Sequence, residues 1–388
     1  MSYGIYILYS IRYPIQKNKV VFASTEGMGG YGDNPKAIAE ELHRERPDLE
    51  LVWLVKDERK SFPSYIRRAS FSLLSRAYEL STSKVWVDCH RKPYGTRKRK
   101  GQYYIQTWHG PIGFKPAGAL RGKFLPKMAE IVSRADSRLI DCFVTNSAWS
   151  TDIAIRSFFY DGTICEDGSP RCDVMFRERD RWRQEIRQLY RIPQQAKLMI
   201  YAPTFRSGSQ TRSRIVEAEE ASLDFAKIIA ALEQKTGEQW YIALRLHPQV
   251  AAHREAYPVQ GQAGNRLIDV SQYDDMYELL AAADAMLSDY STVAFDASYI
   301  EMPVFLYADD LDEYQRDRGA LLWDMRRLPF PFAETEQELV RNIQDFDREN
   351  YLVELHRLFD EVKLKEDGHA SERVAERILR WQEQGGRQ

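Results

Sequence analysis

The chain has 388 residues, 44% of them hydrophobic and 29% charged, with a formal net charge of −2. Its length exceeds one ordinary domain and points to two of about 150–200 residues each, while the near-neutral balance excludes a globally basic nucleic-acid binder. Four cysteines (Cys89, Cys142, Cys165 and Cys172) show no C-x-x-C and no paired spacing with histidine, so they read as reduced structural thiols in a cytosolic compartment.

The first apolar stretch, "YGIYILYSI", runs for only nine residues and lacks a small-residue cleavage site. A bilayer span needs about 20. With Arg12, Lys17 and Lys19 behind it, the stretch suits either a membrane surface or an N-terminal strand or packing helix. Strands are expected at "KVVFAS" (19–24), "LELVWLV" (49–55), "SKVWVDC" (83–89), "QYYIQTW" (102–108) and "RLIDCFVT" (138–145), with helices from about Pro35, Ser70, Gly122 and Ala148. After the first strand, Gly27, Gly29 and Gly32 spell G-x-G-x-x-G, the context of a dinucleotide-binding turn.

The segment "DGTICEDGSPRCD" (161–173) is rich in Gly, Pro and Asp and leads into the charged helix "RERDRWRQEIRQLY". A domain boundary is expected there, dividing the chain into 1–175 and 176–388. The second half repeats the alternation. Strands are expected at 196–202, 240–246, 265–271, 284–289 and 302–308, with helices near 222–235, 274–283 and 292–300. Charged helices after 334 would dock back on the two halves. This is an α/β chain of two Rossmann-like, doubly wound parallel-sheet domains facing a cleft, and ligands in such sheets bind outside the strand carboxyl ends.

Chemistry-bearing residues cluster at those ends. "YYIQTWHGPIGFK" (103–115) leaves a strand directly into His109 and Gly110, where an imidazole can take a proton from an alcohol; the plainer alternative is a half-buried histidine bonded to backbone. "LMIYAPTFRSG" (198–208) ends in Thr204 and Arg206, a hydroxyl and a guanidinium suited to phosphate. His247 follows the next strand. "AMLSDYSTVAFDASYI" (285–300) ends a strand in Asp289 and starts a helix at Ser291 and Thr292. One of these hydroxyls is a natural N-cap, and the pair also offers an anion site at the helix start.

"QTWHG", "YAPTFR", "RLHP" and "LSDYSTVAFD", in this order, together with "GYGDNPKAI" and "EDGHASERV", resemble the CDP-glycerol glycerophosphotransferases of teichoic acid synthesis, over about residues 20 to 380. The resemblance implies a GT-B-like fold, peripheral attachment to the cytoplasmic membrane face, and transfer of a polyol phosphate from a CDP-activated donor to a hydroxyl of an undecaprenyl-diphosphate-linked acceptor. Carried over by position, it implies His109 as catalytic base and His247, Ser291 and Thr292 as holders of the donor diphosphate. Thr204, Arg206 and Asp289 fall at motif positions of the donor site. Departures fall on the acceptor side. Lys115 sits one place later than the family's lysine, and Cys172 stands where asparagine is usual in "GSPRCD".

The expected reaction is attack on the β-phosphorus of CDP-glycerol, or of a similar polyol donor, with His109 taking the acceptor proton and CMP leaving. No D-x-D motif or His/Cys/carboxylate cluster stands out, so no tightly bound metal is expected, although Mg²⁺ stimulation remains compatible. Residues 91–138 hold twelve Lys or Arg against Glu130 and Asp136, which suits an anionic membrane surface. A GT-B glycosyltransferase using a nucleotide sugar is the alternative. A nicotinamide oxidoreductase rests on the glycine motif alone, and a non-catalytic nucleotide-binding scaffold leaves the base and phosphate ligands unexplained. The glycine loop is therefore read as part of the acceptor side, with Gly29, Gly30, Asp33, Asn34, Gly110 and Lys115.

Overall fold

The computed structural model describes residues 2–57, 59–204, 223–246 and 263–383. Arg206 and His247 lie outside them. Seven strands form the first sheet: β1 (Gln16–Ala23), β2 (Glu50–Val55), β3 (Ile66–Ser70), β4 (Ser83–Asp88), β5 (Tyr103–Gln106), β6 (Cys142–Thr145) and β7 (Ile164–Glu166). All pair in parallel in the order β3-β2-β1-β4-β5-β6-β7. Near-continuous apolar runs such as "VVFA" and "VWV" follow from this arrangement, because a parallel strand covered by helices is buried on both faces.

The second sheet holds β8 (Lys197–Ala202), β9 (Trp240–Leu244), β10 (Leu267–Asp269), β11 (Ala285–Ser288), β12 (Val304–Tyr307) and β13 (Phe332–Ala333), in the order β10-β9-β8-β11-β12-β13. Counted within its own sheet, that is the same 3-2-1-4-5-6 order as the first six strands of the chain. Each sheet reverses direction at one point, between β1 and β4 and between β8 and β11. A crevice opens at such a reversal, outside the strand ends. The first crevice collects the turns after β1 and β4, with the turn after β5 beside them. The second collects the turns after β8 and β11.

The strands missing from the sequence expectation are β3, β7 and β13. β3 reads "IRRAS" and sits at a sheet edge with Arg67 and Arg68 exposed, so it lacks an apolar run. The other two are three and two residues long. The N-terminal stretch forms helix Ser2–Arg12, which packs on the first domain by one face. Tyr6 is fully buried, and Tyr9 meets Tyr78 of helix Leu73–Thr82 edge-on at 5.8 Å. Its outer face still exposes Tyr3, Leu8 and Ile11.

Cys142 and Cys165 lie side by side on neighbouring strands β6 and β7, with Cα atoms 6.5 Å apart, while Cys89 and Cys172 are buried. Sheet adjacency brings together two residues whose spacing in sequence carries no pairing signal.

The last helix, Ala370–Glu383, returns to the first domain. Its Val374, Ala375 and Ile378 join the core formed by Ile38 and Leu42 of helix Asp33–Glu45 and by strands β1 and β2. Asp173 anchors its start, accepting from the backbone N–H groups of Ala370 (3.0 Å) and Ser371 (2.7 Å), and Arg377 pairs with Asp167. Just before it, Glu366 accepts from Asn146 Nδ2 at 2.8 Å and from the Ser169 N–H at 3.1 Å. The "GSPRCD" and "EDGHASERV" stretches are thus two sides of one fastening.

Withdrawal from water pushes the Glu366 carboxyl up to about 8. In the unfolded chain it would ionise near 4.3. Between these values the folded chain keeps a proton that the unfolded chain has released, so this group's contribution to stability falls as pH rises. Glu366→Gln, neutral and of the same shape, is expected to gain melting temperature on the wild type between pH 5 and about 8. Parallel melting curves across that window would contradict it.

Candidate active site

The turn after β5 is held from three directions. Gln106 Oε1 accepts from the Trp108 N–H at 2.8 Å, and Asn34 Nδ2 donates to the Trp108 carbonyl at 3.0 Å. Trp108 itself has φ +52°, a left-handed conformation that costs energy outside glycine, and its ring packs on Phe158 at 4.3 Å. This strain delivers His109 to the crevice. Its Nδ1 lies 2.9 Å from the Cys89 carbonyl, which follows β4. A carbonyl can only accept, so Nδ1 carries the proton and Nε2 keeps its lone pair. His90 lies flat against the ring, centroids 4.0 Å apart and planes within 5°. Burial, and secondarily His90, hold the His109 imidazole well below its usual range, so it is neutral at physiological pH.

His109 lines a cavity of about 260 Å³. Trp108, Phe143, Ile153 and Phe158 of the first domain supply apolar wall, and Tyr290 and Thr292 close it from the second. The two domains touch closely here. A Cβ on Gly110 would fall 2.6 Å from Thr292 Cγ2, so no larger residue fits without displacing the Thr292 side chain. Ile112 and Phe114 are buried in the second domain's core, Phe114 against Phe295 at 4.8 Å. That anchorage carries Lys115 across the cleft, where Nζ approaches Thr204 Oγ1 at 3.4 Å and the Tyr314 ring at 5.8 Å.

On the second domain, the turns after β8 and β11 are tied together. The buried Asp289 carboxylate accepts from the Thr204 N–H at 2.8 Å, and Ser288 Oγ donates to the Ala202 carbonyl at 2.7 Å. Helix Val293–Ser298 starts with Thr292 as N-cap, but the Thr292 hydroxyl makes no capping bond. Capping does not account for that hydroxyl. The structure thus brings His109, Gly110, Lys115, Thr204, Asp289, Ser291 and Thr292 to one junction of strand ends.

Gly29, Gly30, Asp33 and Asn34 lie behind this junction and do not line the cavity. A Cβ on Gly30 would sit 2.9 Å from the Asp274 carboxylate of the second domain. Asp33 Oδ1 accepts from the Asn34 N–H at 2.7 Å and from Arg171 at 3.1 Å. A carboxylate paired with arginine at this helix start fills the place where a dinucleotide would lay its pyrophosphate. Arg171 is the centre of the junction. Its second amino group pairs with buried Asp296 at 2.8 Å, its backbone N–H donates to Asn34 Oδ1 at 3.1 Å, and its guanidinium lies over Tyr277, which also donates to Asp296. Lys36 adds ion pairs to Asp275 and Glu278 across the same junction.

Sequence reasoning passed over Arg171, Asp296, Tyr277 and His90. The first two stand inside "GSPRCD" and "LSDYSTVAFD", and their opposite charges were the available signal. It also passed over the close approach of Asp88, Cys89 and His90, whose ligand atoms lie within 4.8 Å of one another. The Asp88 carboxylate there is paired with Lys92 at 2.7 Å.

Residues 5–380 match the model of the CDP-Glycerol:Poly(glycerophosphate) glycerophosphotransferase family. The chain is 25% identical to the teichoic acid poly(glycerol phosphate) polymerase of Bacillus subtilis (strain 168), over 98% of this chain but only 51% of that protein, so it spans about half the relative's length. It is 29% identical to the teichoic acid glycerol-phosphate transferase of Staphylococcus aureus (strain NCTC 8325 / PS 47), over 94% of this chain and 93% of the relative. A structure of the wall teichoic acid polymerase TagF, a variant soaked with CDPG, superposes with a TM-score of 0.84 at 25% identity, covering 99% of this chain and 93% of that one. With two parallel-sheet domains of GT-B-like form meeting at a histidine-bearing junction, the chain belongs to the CDP-glycerol:poly(glycerophosphate) glycerophosphotransferase family.

Proposed function

We propose that this protein transfers glycerol phosphate from CDP-glycerol to a hydroxyl of an undecaprenyl-diphosphate-linked acceptor in teichoic acid or related surface-polymer synthesis, releasing CMP. The observation that carries this reading is the fixed tautomer of His109, a neutral base with a free Nε2 across from the Thr292 helix start. The acceptor hydroxyl gives its proton to Nε2 as its oxygen attacks the β-phosphorus. The bond from that phosphorus to the bridging oxygen breaks, and CMP departs with the electron pair. Charge developing on the diphosphate falls to Ser291, Thr292 and Lys115, with Arg206 and His247 assigned there by the sequence motifs. Thr204 and Asp289 hold the two donor-side turns in register. Such preorganised groups usually supply the largest share of catalysis. The apolar cavity under His109 takes the acceptor. No resident metal is assigned, and Mg²⁺ is an addition to the assay.

The test is to offer the full chain CDP-glycerol, CDP-ribitol and UDP-sugars with a polyprenyl-diphosphate acceptor. CMP release from CDP-glycerol with phosphate transfer is expected. UDP release with sugar transfer would replace this reading by the glycosyltransferase one.

A peripheral position on the cytoplasmic membrane face completes the reading. Among the described residues no helix is long and apolar enough to cross a membrane. The exposed Leu8, Ile11 and Tyr3 share a surface with the basic run, since the Arg97 guanidinium lies over the Tyr3 ring at 5.2 Å. Tyr94 and Met128 are exposed within that run. Juxtamembrane cations contribute about 1 kcal/mol each on an anionic leaflet. The protein is expected to sediment with anionic but not neutral liposomes, and indifference to lipid charge would remove the basic run from the interface.

A further inference from the structure

We propose that His90 is a positioning residue for His109, its ring fixing the plane in which Nε2 faces the cavity. The inference rests on the reading of His109 as base and adds a role that none of the motifs contains. Cys89 and His90 follow β4 in succession, and each holds His109 differently. The Cys89 carbonyl fixes Nδ1 but leaves the ring free to swing about that single bond. The His90 face, parallel within 5° at 4.0 Å, removes the swing, with Trp108 against the His109 ring at 4.3 Å.

His90 is itself immobilised. Its N–H donates to Asp88 Oδ1 at 2.9 Å, its carbonyl accepts from Gln106 Nε2 at 3.0 Å, and its Nδ1 lies 3.4 Å from Cys89 Sγ. Gln106 also sets the Trp108 N–H, so one side chain ties the support and the supported turn together.

The stack also suits the proton's path. Two imidazolium rings face to face at this distance would repel, so the pair holds one proton at most. Burial disfavours charge on both rings, Arg171 adds to this on each, and Asp33 opposes it at His109. Asp88 is occupied by Lys92. While the acceptor's proton rests on His109, the His90 ring against it is neutral.

The experiment compares His90→Ala and His90→Phe in the full chain. It measures kcat and donor KM across pH and titrates the His109 ring by NMR. Loss of the stack in His90→Ala is expected to lower kcat by about tenfold or more with little change in donor KM, since a misplaced base costs the chemical step. The same variant moves the His109 titration up towards the ordinary imidazole range. His90→Phe, a flat ring without a proton, recovers most of the lost kcat. A folded His90→Ala protein with wild-type kcat and an unmoved His109 titration would overturn the proposal, as would His90→Phe failing as badly as His90→Ala. Should His109→Ala remain active, the base assignment falls instead, and the His109 titration alone still decides whether the stack sets that ring.

Discussion

Replacing His109 with alanine is expected to lower kcat for CMP release by about 10²–10⁴, the usual contribution of a positioned base. Donor KM should change little, because Nε2 meets the acceptor hydroxyl and touches no part of the nucleotide in this reading. The wild-type profile carries its own signature. Burial keeps the imidazole neutral, so the rate should stay flat through neutral pH and fall only well below the ordinary histidine range. Near-wild-type CMP release by the alanine variant would place the base elsewhere. A wild-type acid limb near pH 6.5 would mean that the ring is more exposed to water than this packing allows.

Arg171→Leu is expected to produce the largest loss of stability, about 3–5 kcal/mol, because removing one partner strands a buried charge. Asp296 is fully buried, and its carboxyl is already pushed up by that burial against the pull of Arg171. Asp33 loses the same partner. The effect should appear as a shift in denaturant midpoint, and the double variant Arg171→Leu with Asp296→Leu should recover part of it, since the fully buried carboxylate is then no longer stranded and only the partly exposed Asp33 has lost its partner. A single variant within about 0.5 kcal/mol of wild type would show that water reaches this junction.

Much of this was legible along the chain. Interior strands announce themselves because burial on both faces demands unbroken apolar runs, and both sheets follow from their alternation with helices. The charged edge strand β3 obeys no such demand. His109 drew attention by its place at a strand end, and its reading as base came from the resemblance of the motifs taken together, since a lone histidine there reads as readily as one bonded to backbone. The Arg171–Asp33–Asp296 junction was not, since its members are far apart in sequence and each has the look of an ordinary surface charge until the domains meet. Lys115 shows the same limit from the other side. Its displaced position in the motif looked disruptive, yet burial of Phe114 in the second domain's core still sends its amino group to Thr204. At Gly30 the absence of a side chain lets the first domain press on Asp274 of the second, a contact that the glycine spacing alone does not announce.

The returning helix Ala370–Glu383 has a consequence for how the molecule is made. The first sheet has all its strands once Glu166 has been translated, yet one flank of its core stays open until the final helix leaves the ribosome. Domains generally fold as units during synthesis, N-terminal first. Here the earlier domain must wait, with Ile38 and Leu42 uncovered, while the later one is built. The nascent chain therefore keeps that apolar flank open to chaperones or to other chains until residues 370–383 emerge, long after the strands they cover.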